Sequence, residues 1–155
     1  RGDFLSLSDT DWQDGFDLKF YAAMRASRAA WPYLQVSHGV IINIAGLGGR
    51  TGSAEFTIGG AVNAALMNLT KSLADRGVND GIRVNAIAPT HFRTPMLEKA
   101  ISLNPEGAEY FTKNIPLGRL GQPEELVGTI VYLSSAASSM VTGIVLAVDG
   151  GHTAR

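Results

Sequence analysis

Three side chains in the sequence could move a proton or polarise a bond. Lys19 carries an amine, Ser53 a hydroxyl and His91 an imidazole. Each also has a plainer structural interpretation. A lysine often extends along the surface, a serine in a glycine-rich loop often makes a turn, and a loop histidine is often solvated. The residue types alone therefore leave catalytic and structural roles open for all three.

Two glycine-rich stretches could bring the backbone close to a ligand. Residues 45–49 (AGLGG) end an apolar run, and residues 58–60 (IGG) open a helical pattern. Backbone without side chains can approach a bound molecule closely. The other interpretation of the second stretch is the start of an ordinary packed helix. One face of that helix holds the apolar residues that recur at helical spacing, Val62, Leu66, Leu69 and Leu73.

The composition excludes several function classes. The 155 residues carry 13 basic and 14 acidic side chains, and the formal net charge of −1 offers no charge field for nucleic acid or an anionic membrane. Because there is no cysteine, neither a disulfide nor a thiolate metal site can form, and we predict no metal site. No apolar run approaches the ~20 residues of a membrane span, and the first residues do not resemble a signal peptide. We therefore expect a cytoplasmic globular protein of one domain.

Three short apolar runs predict the strands of a parallel sheet. They lack polar alternation, as expected for strands buried on both faces, and occupy residues 39–44, 82–88 and 143–148. Between and around them, helices are predicted over residues 10–31 and 58–76 and from residue 123 onward. The first should end at Pro32, whose ring cannot continue a helix. Asn43 and Asn85 lie within strands, where we expect them to satisfy neighbouring backbone groups. The alternation predicts an α/β fold.

The segment 90–121 is long for a connection within a compact domain. It contains prolines at 95, 105 and 116 and predicts short helices around residues 96–101 and 106–113. Long excursions of this kind are often functional. We interpret the segment as a lid over a substrate site.

Four segments of the sequence resemble the short-chain dehydrogenase/reductase family. They are DTDWQDGFDLKFY at 9–21, IRVNAIAP at 82–89, GRLGQPEELVGTIVYLSS at 118–135 and VTGIVLAVDGG at 141–151. The resemblance implies a Rossmann-like, doubly wound parallel sheet, NAD or NADP as cofactor, and a small carbonyl or alcohol as substrate. It also implies that residues 1–155 form the C-terminal half-sheet of one partial domain. The glycine-rich dinucleotide-binding part would then lie upstream of Arg1.

The family's catalytic positions are all substituted in this chain. Members use a serine after a strand, a tyrosine and a lysine four residues apart on the following helix, and an asparagine on the helix before. Alignment on NLTKSLA (68–74) places these positions at Gly46, Gly59, Asn63 and Lys19. Phe56, one turn before Gly59, offers a ring but no proton. The resemblance therefore implies an oxidoreductase that lacks the usual catalytic groups. The alternative is an inactive paralogue or a truncated product with a binding or oligomer-stabilising role.

Four other groups remain as catalytic candidates in a divergent site. Lys19 or His91 could supply a proton if they face the nicotinamide, Ser53 could supply a hydroxyl, and Phe56 could supply the ring. The roles of Lys19, His91 and Ser53 compete with the structural interpretations given above.

The residues that the resemblance places beside the cofactor are better retained. The family's Pro-Gly-x-x-x-Thr loop reads PTHFRT at residues 89–94. The β-branched Thr90 replaces the glycine and is poorly suited to a positive φ, which puts the usual loop geometry in doubt. Arg93 is either a charge near phosphate or an exposed loop residue. The resemblance assigns cofactor contacts to Ile44, Ala45, Asn63, Pro89, Thr90, Phe92 and Thr94.

Family members usually form dimers or tetramers. The resemblance therefore implies a homo-oligomer in which the long helices 10–31 and 58–76 pack against a second copy. Beyond that and a small-molecule substrate, no nucleic acid or membrane partner is expected.

Overall fold

A three-stranded parallel sheet organises the described part of the chain. The computed structural model describes residues 2–103 and 107–154. Its strands are β1 (Val40–Ile44), β2 (Arg83–Pro89) and β3 (Val145–Val148), in the order β1-β2-β3. Ile44 is level with Ile87, and Pro89 is level with Val148. The three predicted strands and their parallel arrangement are confirmed.

Six α-helices surround the sheet within the described residues. The first two, α1 and α2, are joined by a π-helical turn, Asp17–Tyr21. The predicted helix at 106–113 is observed from Gly107, and its predicted first residue lies outside the described residues. The bounds are α1 Asp9–Phe16, α2 Ala22–Ser37, α3 Thr57–Gly77, α4 Pro95–Leu103, α5 Gly107–Thr112 and α6 Glu124–Ser134. None of the helices in these residues has the length and apolar character needed to cross a membrane.

The first predicted helix begins as expected but does not end at Pro32. Ser8 caps α1, since its hydroxyl accepts from Asp11 N while the Asp11 carboxylate accepts from Ser8 N. Pro32 lies inside α2, which continues to Ser37 and stops at His38 with φ of 50°. The predicted end was therefore wrong.

Contacts on both sides of the proline explain why the helix continues. Trp31 Nε1 donates to Asp80 at 2.8 Å, and Gln35 Nε2 donates to the same carboxylate at 3.0 Å. These bonds hold the turns before and after Pro32 against one loop. Tertiary contacts of this kind offset the backbone hydrogen bond that proline removes.

The buried face of α3 is rotated from the predicted one. Val62 and Leu66 are buried as predicted, but Leu69 and Leu73 are only half-buried. Thr70 is fully buried instead, and its hydroxyl accepts from Asn43 Nδ2 at 2.9 Å. The prediction from apolar spacing overlooked Thr70, because a threonine can be buried against the sheet when a neighbour such as Asn43 forms a hydrogen bond with its hydroxyl. The remaining buried positions of α3 are Asn63, Met67, Ala74 and Gly77.

A glycine-rich turn after β1 lies directly on the first half of α3. A Cβ at Gly49 would lie 2.7 Å from the backbone nitrogen of Ala64 and 2.8 Å from the carbonyl carbon of Asn63. Helix backbone cannot move aside as a flexible side chain can. The glycine is therefore required for the close approach of the turn to α3.

We expect Gly49→Ala to lower the free energy of unfolding by about 1–3 kcal/mol, because the added methyl forces the turn away from α3. Gly52→Ala is the matched control, since a Cβ at Gly52 has no heavy atom within 4 Å and no positive φ. It should change stability by about 0.5 kcal/mol in either direction. Urea unfolding of both variants measures the difference, and equal destabilisation would contradict this account of the turn.

Candidate active site

The carboxyl ends of the strands place several candidate residues at one edge of the sheet. In a parallel sheet all strands end on the same side, where α/β proteins bind ligands. Ala45 follows β1, and its N–H donates to the Ile87 carbonyl at 2.9 Å. Thr90 follows β2, and its N–H donates to the Val148 carbonyl at 3.3 Å. Four of the predicted cofactor residues, at positions 44, 45, 89 and 90, therefore share this edge.

The amine of Lys19 reaches the same edge from the π-helical turn. Its Nζ donates to Asn63 Oδ1 at 2.7 Å and to the Ala45 carbonyl at 3.1 Å. Burial lowers the pKa of Lys19 from its usual value, because removal from water disfavours the charged form. Lys19 is thus a partly buried, hydrogen-bonded amine and not a solvated surface lysine.

Close packing of the first helix on α3 brings Lys19 into reach of this edge. Gly15, one turn before Lys19, lies against the side chain of Ile58, and a Cβ at Gly15 would overlap it. The π-helical turn that follows adds a residue to the helical turn and changes the directions of its side chains. Such turns often occur at functional sites.

Gly46 and Asn63 are neighbours across the glycine-rich turn. A Cβ at Gly46 would lie 3.1 Å from Asn63 Nδ2. Asn63 is itself buried in α3, with 4% of its surface exposed. The structure therefore brings together three of the four positions predicted from the family motif: 19, 46 and 63.

The fourth position, Gly59, is covered by the ring of Phe56. A Cβ at Gly59 would overlap the outer edge of this ring, and a Cβ at Gly48 would lie 2.9 Å from two of its carbons. Phe56 is the residue immediately before α3. Its ring thus occupies the space in which a side chain at position 59 would begin.

Two catalytic candidates, Ser53 and His91, do not join the hydrogen-bonded group of Lys19, Ala45 and Asn63 within the described residues. Ser53 is exposed, and its carbonyl accepts from Phe56 N at 3.1 Å, which fits the turn interpretation. The His91 ring packs edge-on against Phe111 of α5, with the ring centres 5.1 Å apart. Neither side chain has a hydrogen bond to Lys19 or Asn63 in the described part of the chain.

The loop after β2 retains an ordinary backbone at Thr90. Among the described non-glycine residues only His38 has a positive φ, so the expected strain at Thr90 does not arise. The Thr90 hydroxyl forms a hydrogen bond of 2.9 Å with His152 Nδ1. Sequence reasoning missed His152, and no local pattern indicates it, because it lies 62 residues away.

The other loop candidates have structural contacts. Thr94 Oγ1 accepts from Leu97 N at 3.3 Å and so caps the start of α4. Arg93 forms an ion pair with Glu98 at 3.2 Å, as an exposed loop arginine would. The Phe92 ring lies against Gly121, and a Cβ there would come within 2.5 Å of it.

A cavity of about 230 Å³ lies between the segment 90–121 and the end of β3. It includes Thr90 and Phe92 but none of Lys19, Phe56 and Asn63. Within the described residues no cluster of histidine and carboxylate side chains could hold a metal ion. The lining residues are Thr90, Phe92, Ile115, Leu117, Arg119, Gly121, Glu125, Val148, Asp149 and Gly150.

The charges around this cavity are paired or hydrogen-bonded. The Arg119 guanidinium donates twice to the Glu125 carboxylate, both times at 2.8 Å. Together with Gln122 N–H it lowers the pKa of Glu125 to about 2, and the carboxylate in turn raises the pKa of Arg119. Burial acts to raise the pKa of Asp149, but hydrogen bonds from Thr153 and Gly151 outweigh it and lower the pKa overall.

Comparison with known proteins gives consistent matches along the chain. A family model described as enoyl-(acyl carrier protein) reductase matches residues 1–153. Gluconate 5-dehydrogenase of Gluconobacter oxydans is 38% identical over 157 residues, which cover 99% of this chain and 60% of that protein. Galactitol 2-dehydrogenase of Rhizobium johnstonii is 34% identical over 150 residues, which cover 95% of this chain and 58% of that protein.

A solved structure shares the fold along the whole chain. A crystal structure from Agrobacterium tumefaciens, described as a 2-deoxy-D-gluconate 3-dehydrogenase with bound NADP, superposes with a TM-score of 0.93 at 34% identity. The match covers 100% of this chain and 63% of that one. The chain thus spans 58% to 63% of the length of these three proteins.

We expect the stabilising effect of Glu125 to disappear in acid. Its pKa in the folded protein is about 2, against an ordinary value of 4.5, so its contribution is complete above about 4.5 and is lost as the pH falls towards 2. Urea unfolding of the wild type and Glu125→Gln should differ near neutral pH and converge in acid. Because the pair is largely exposed, high salt should also reduce the difference.

The control for this measurement is Glu124→Gln, which removes an exposed carboxylate from the same helical turn, outside the Arg119 ion pair. It should show a smaller change with pH. A difference between the wild type and Glu125→Gln that stays constant from neutral pH to pH 2 would contradict the assigned pKa.

Proposed function

The chain belongs to the short-chain dehydrogenase/reductase family, and we propose that it acts as an NAD(P)-dependent oxidoreductase on a small carbonyl or alcohol substrate. The named relatives act on galactitol and gluconate, which supports a polyhydroxylated substrate. The observation that carries the proposal is the Lys19 amine, held beside Ala45 and Asn63 at the carboxyl edge of a parallel sheet.

The residues at this edge fit a nicotinamide cofactor. Two neighbouring strands end here at the exposed residue Ile44 and the half-buried residue Pro89, and Lys19 adds an amine whose donors are not all used. Ile44, Ala45, Pro89 and Thr90 would hold the cofactor, with Asn63 positioning the amine. NAD(P), when bound, supplies or accepts the hydride.

Lys19 supplies the proton chemistry in this proposal. Its lowered pKa brings the amine closer to the range in which it can give up and regain a proton at Nζ. Phe56 contributes an apolar wall over Gly59 and no proton. The segment 90–121 is the proposed lid over the substrate site, and its α5 helix packs on His91 through Phe111.

A second candidate is a family member that binds its ligands without turning them over. The observation that favours it is the Phe56 ring itself, which fills the start of position 59 and has no hydroxyl. In this candidate the three positions 46, 59 and 63 have lost the catalytic hydroxyls and amine, and the fold retains a binding or oligomer-stabilising role.

We also propose a cytoplasmic homo-oligomer that pairs the long helices 10–31 and 58–76. The first of these exposes two large side chains in its π-helical turn, Leu18 at 82% and Tyr21 at 39%. A second copy packed on this helix would cover them.

The proposed activity is tested with the purified protein. We expect it to bind NADH or NADPH and to oxidise a polyol or reduce a keto sugar acid, followed by the absorbance of the reduced nicotinamide. Lys19→Met should lower kcat by about 10²–10⁴-fold if the amine moves the proton. Lys71→Met, which removes an exposed lysine from α3, should leave the rate unchanged.

Two other outcomes are decisive. Binding of the cofactor without turnover of any polyol or keto sugar acid would favour the non-catalytic candidate. Absence of cofactor binding at millimolar concentration would overturn the proposed function in both forms.

A further inference from the structure

The Lys19 amine is anchored on one side and open on another. An ammonium group has three N–H donors. Asn63 Oδ1 and the Ala45 carbonyl accept two of them. Within the described residues no third acceptor contacts the amine, and none of the ion pairs involves it. One donor is therefore available to a bound molecule at the carboxyl edge.

The Asn63 amide is held in the orientation that accepts a hydrogen bond from Lys19. The amide is buried, and the oxygen faces Lys19 because an amine can only donate to it. The whole amide lies against the glycine turn, since a Cβ at position 46 would be 3.1 Å from its nitrogen and 3.4 Å from its oxygen. The orientation of Asn63 therefore suits an acceptor for a cation that comes from outside α3.

The same two positions have the reverse residue types in the family motif. The resemblance assigns a lysine to position 63 of α3 and an asparagine to position 19 of the preceding helix. This chain has asparagine at 63 and lysine at 19, and the two side chains are in direct contact at 2.7 Å. One substitution alone would remove the amine from the edge or add a second one. The two together keep one amine and one amide.

We propose that Lys19 and Asn63 have exchanged roles, so that the amine reaches the ligand from the π-helical turn, and that its third N–H binds a ligand hydroxyl. The inference rests on the proposed function, since it assigns the ligand contact at the same site. The hydroxyl belongs either to the ribose of the cofactor or to a polyol substrate. Both sources present the same hydroxyl group to the amine, and the experiment separates them.

A purely structural pair is the competing explanation. In that case the hydrogen bond only fastens the first helix to α3, and loss of Lys19 lowers stability without changing affinity for any ligand. If the two residues have exchanged roles, the lysine can instead occupy either position 19 or position 63, provided that the asparagine occupies the other.

The test is a reciprocal exchange in the complete protein. The variants are Lys19→Asn, Asn63→Lys and the double variant that carries both, with Lys71→Asn as the matched lysine-to-asparagine control on exposed α3 surface. Affinity for NADPH alone is measured by its fluorescence, and affinity for a polyol alone by calorimetry. Thermal unfolding of each variant reports the structural contribution separately.

We expect Lys19→Asn to weaken binding of the ligand by about tenfold or more, as for loss of a hydrogen bond from a charged donor. Asn63→Lys places two amines together and should lower both affinity and the unfolding temperature. The double variant should regain affinity to within about threefold of the wild type, because it restores one amine and one amide and substitutions at contacting sites are not additive. Lys71→Asn, which lies outside the ligand site, should leave both affinities unchanged.

The affected ligand identifies the source of the hydroxyl. Weaker NADPH binding assigns it to the ribose, and weaker polyol binding with unchanged NADPH affinity assigns it to the substrate. The inference is overturned if Lys19→Asn lowers only the unfolding temperature, or if the double variant binds no better than the single ones. If the wild type binds neither ligand, the proposed function fails, and the ligand contact fails with it.

Discussion

The burial of β2 on both faces is the constraint on which the rest of the structure depends. Val84, Ala86, Ile87 and Ala88 have no exposed surface, and β1 and β3 flank them in parallel. A strand covered in this way needs helices on its faces and neighbours on its edges. Since all three strands run in one direction, their carboxyl ends share one edge. The position of the candidate site follows from this arrangement before any catalytic side chain is considered.

Polar side chains within the sheet also serve this arrangement. Asn85 is fully buried, donates to the Val141 carbonyl at 2.9 Å and accepts from Ile144 N at 3.2 Å. It satisfies backbone groups in the chain entering β3, as the sequence interpretation expected. Asn43 instead donates to the Thr70 side chain and joins β1 to α3. A buried polar group costs free energy unless it is paired, so each asparagine requires its partner in place.

Strands and helices could be predicted from the sequence because their signals are local. Continuous apolar runs indicated the three strands, and the first helix begins at Asp9, one residue before its predicted start. The errors occurred where distant residues decide the outcome. Pro32 remains helical because Trp31 and Gln35 both bond to Asp80, more than forty positions away. The buried face of α3 includes Thr70 because Asn43 satisfies it, and apolar periodicity does not detect such a pair.

The candidate site was predictable by position and not by chemistry. When each position is compared with the family motif separately, Gly46, Gly59, Asn63 and Lys19 count as four independent losses of a catalytic side chain. In three dimensions two contacts group most of them, because Lys19 lies against Asn63 and the Phe56 ring covers Gly59. We propose that the first contact keeps the amine and supplies it from another helix, and that the second keeps a ring without a hydroxyl. Between these two contacts only the amine can give up a proton, because the aromatic ring over Gly59 has no hydroxyl.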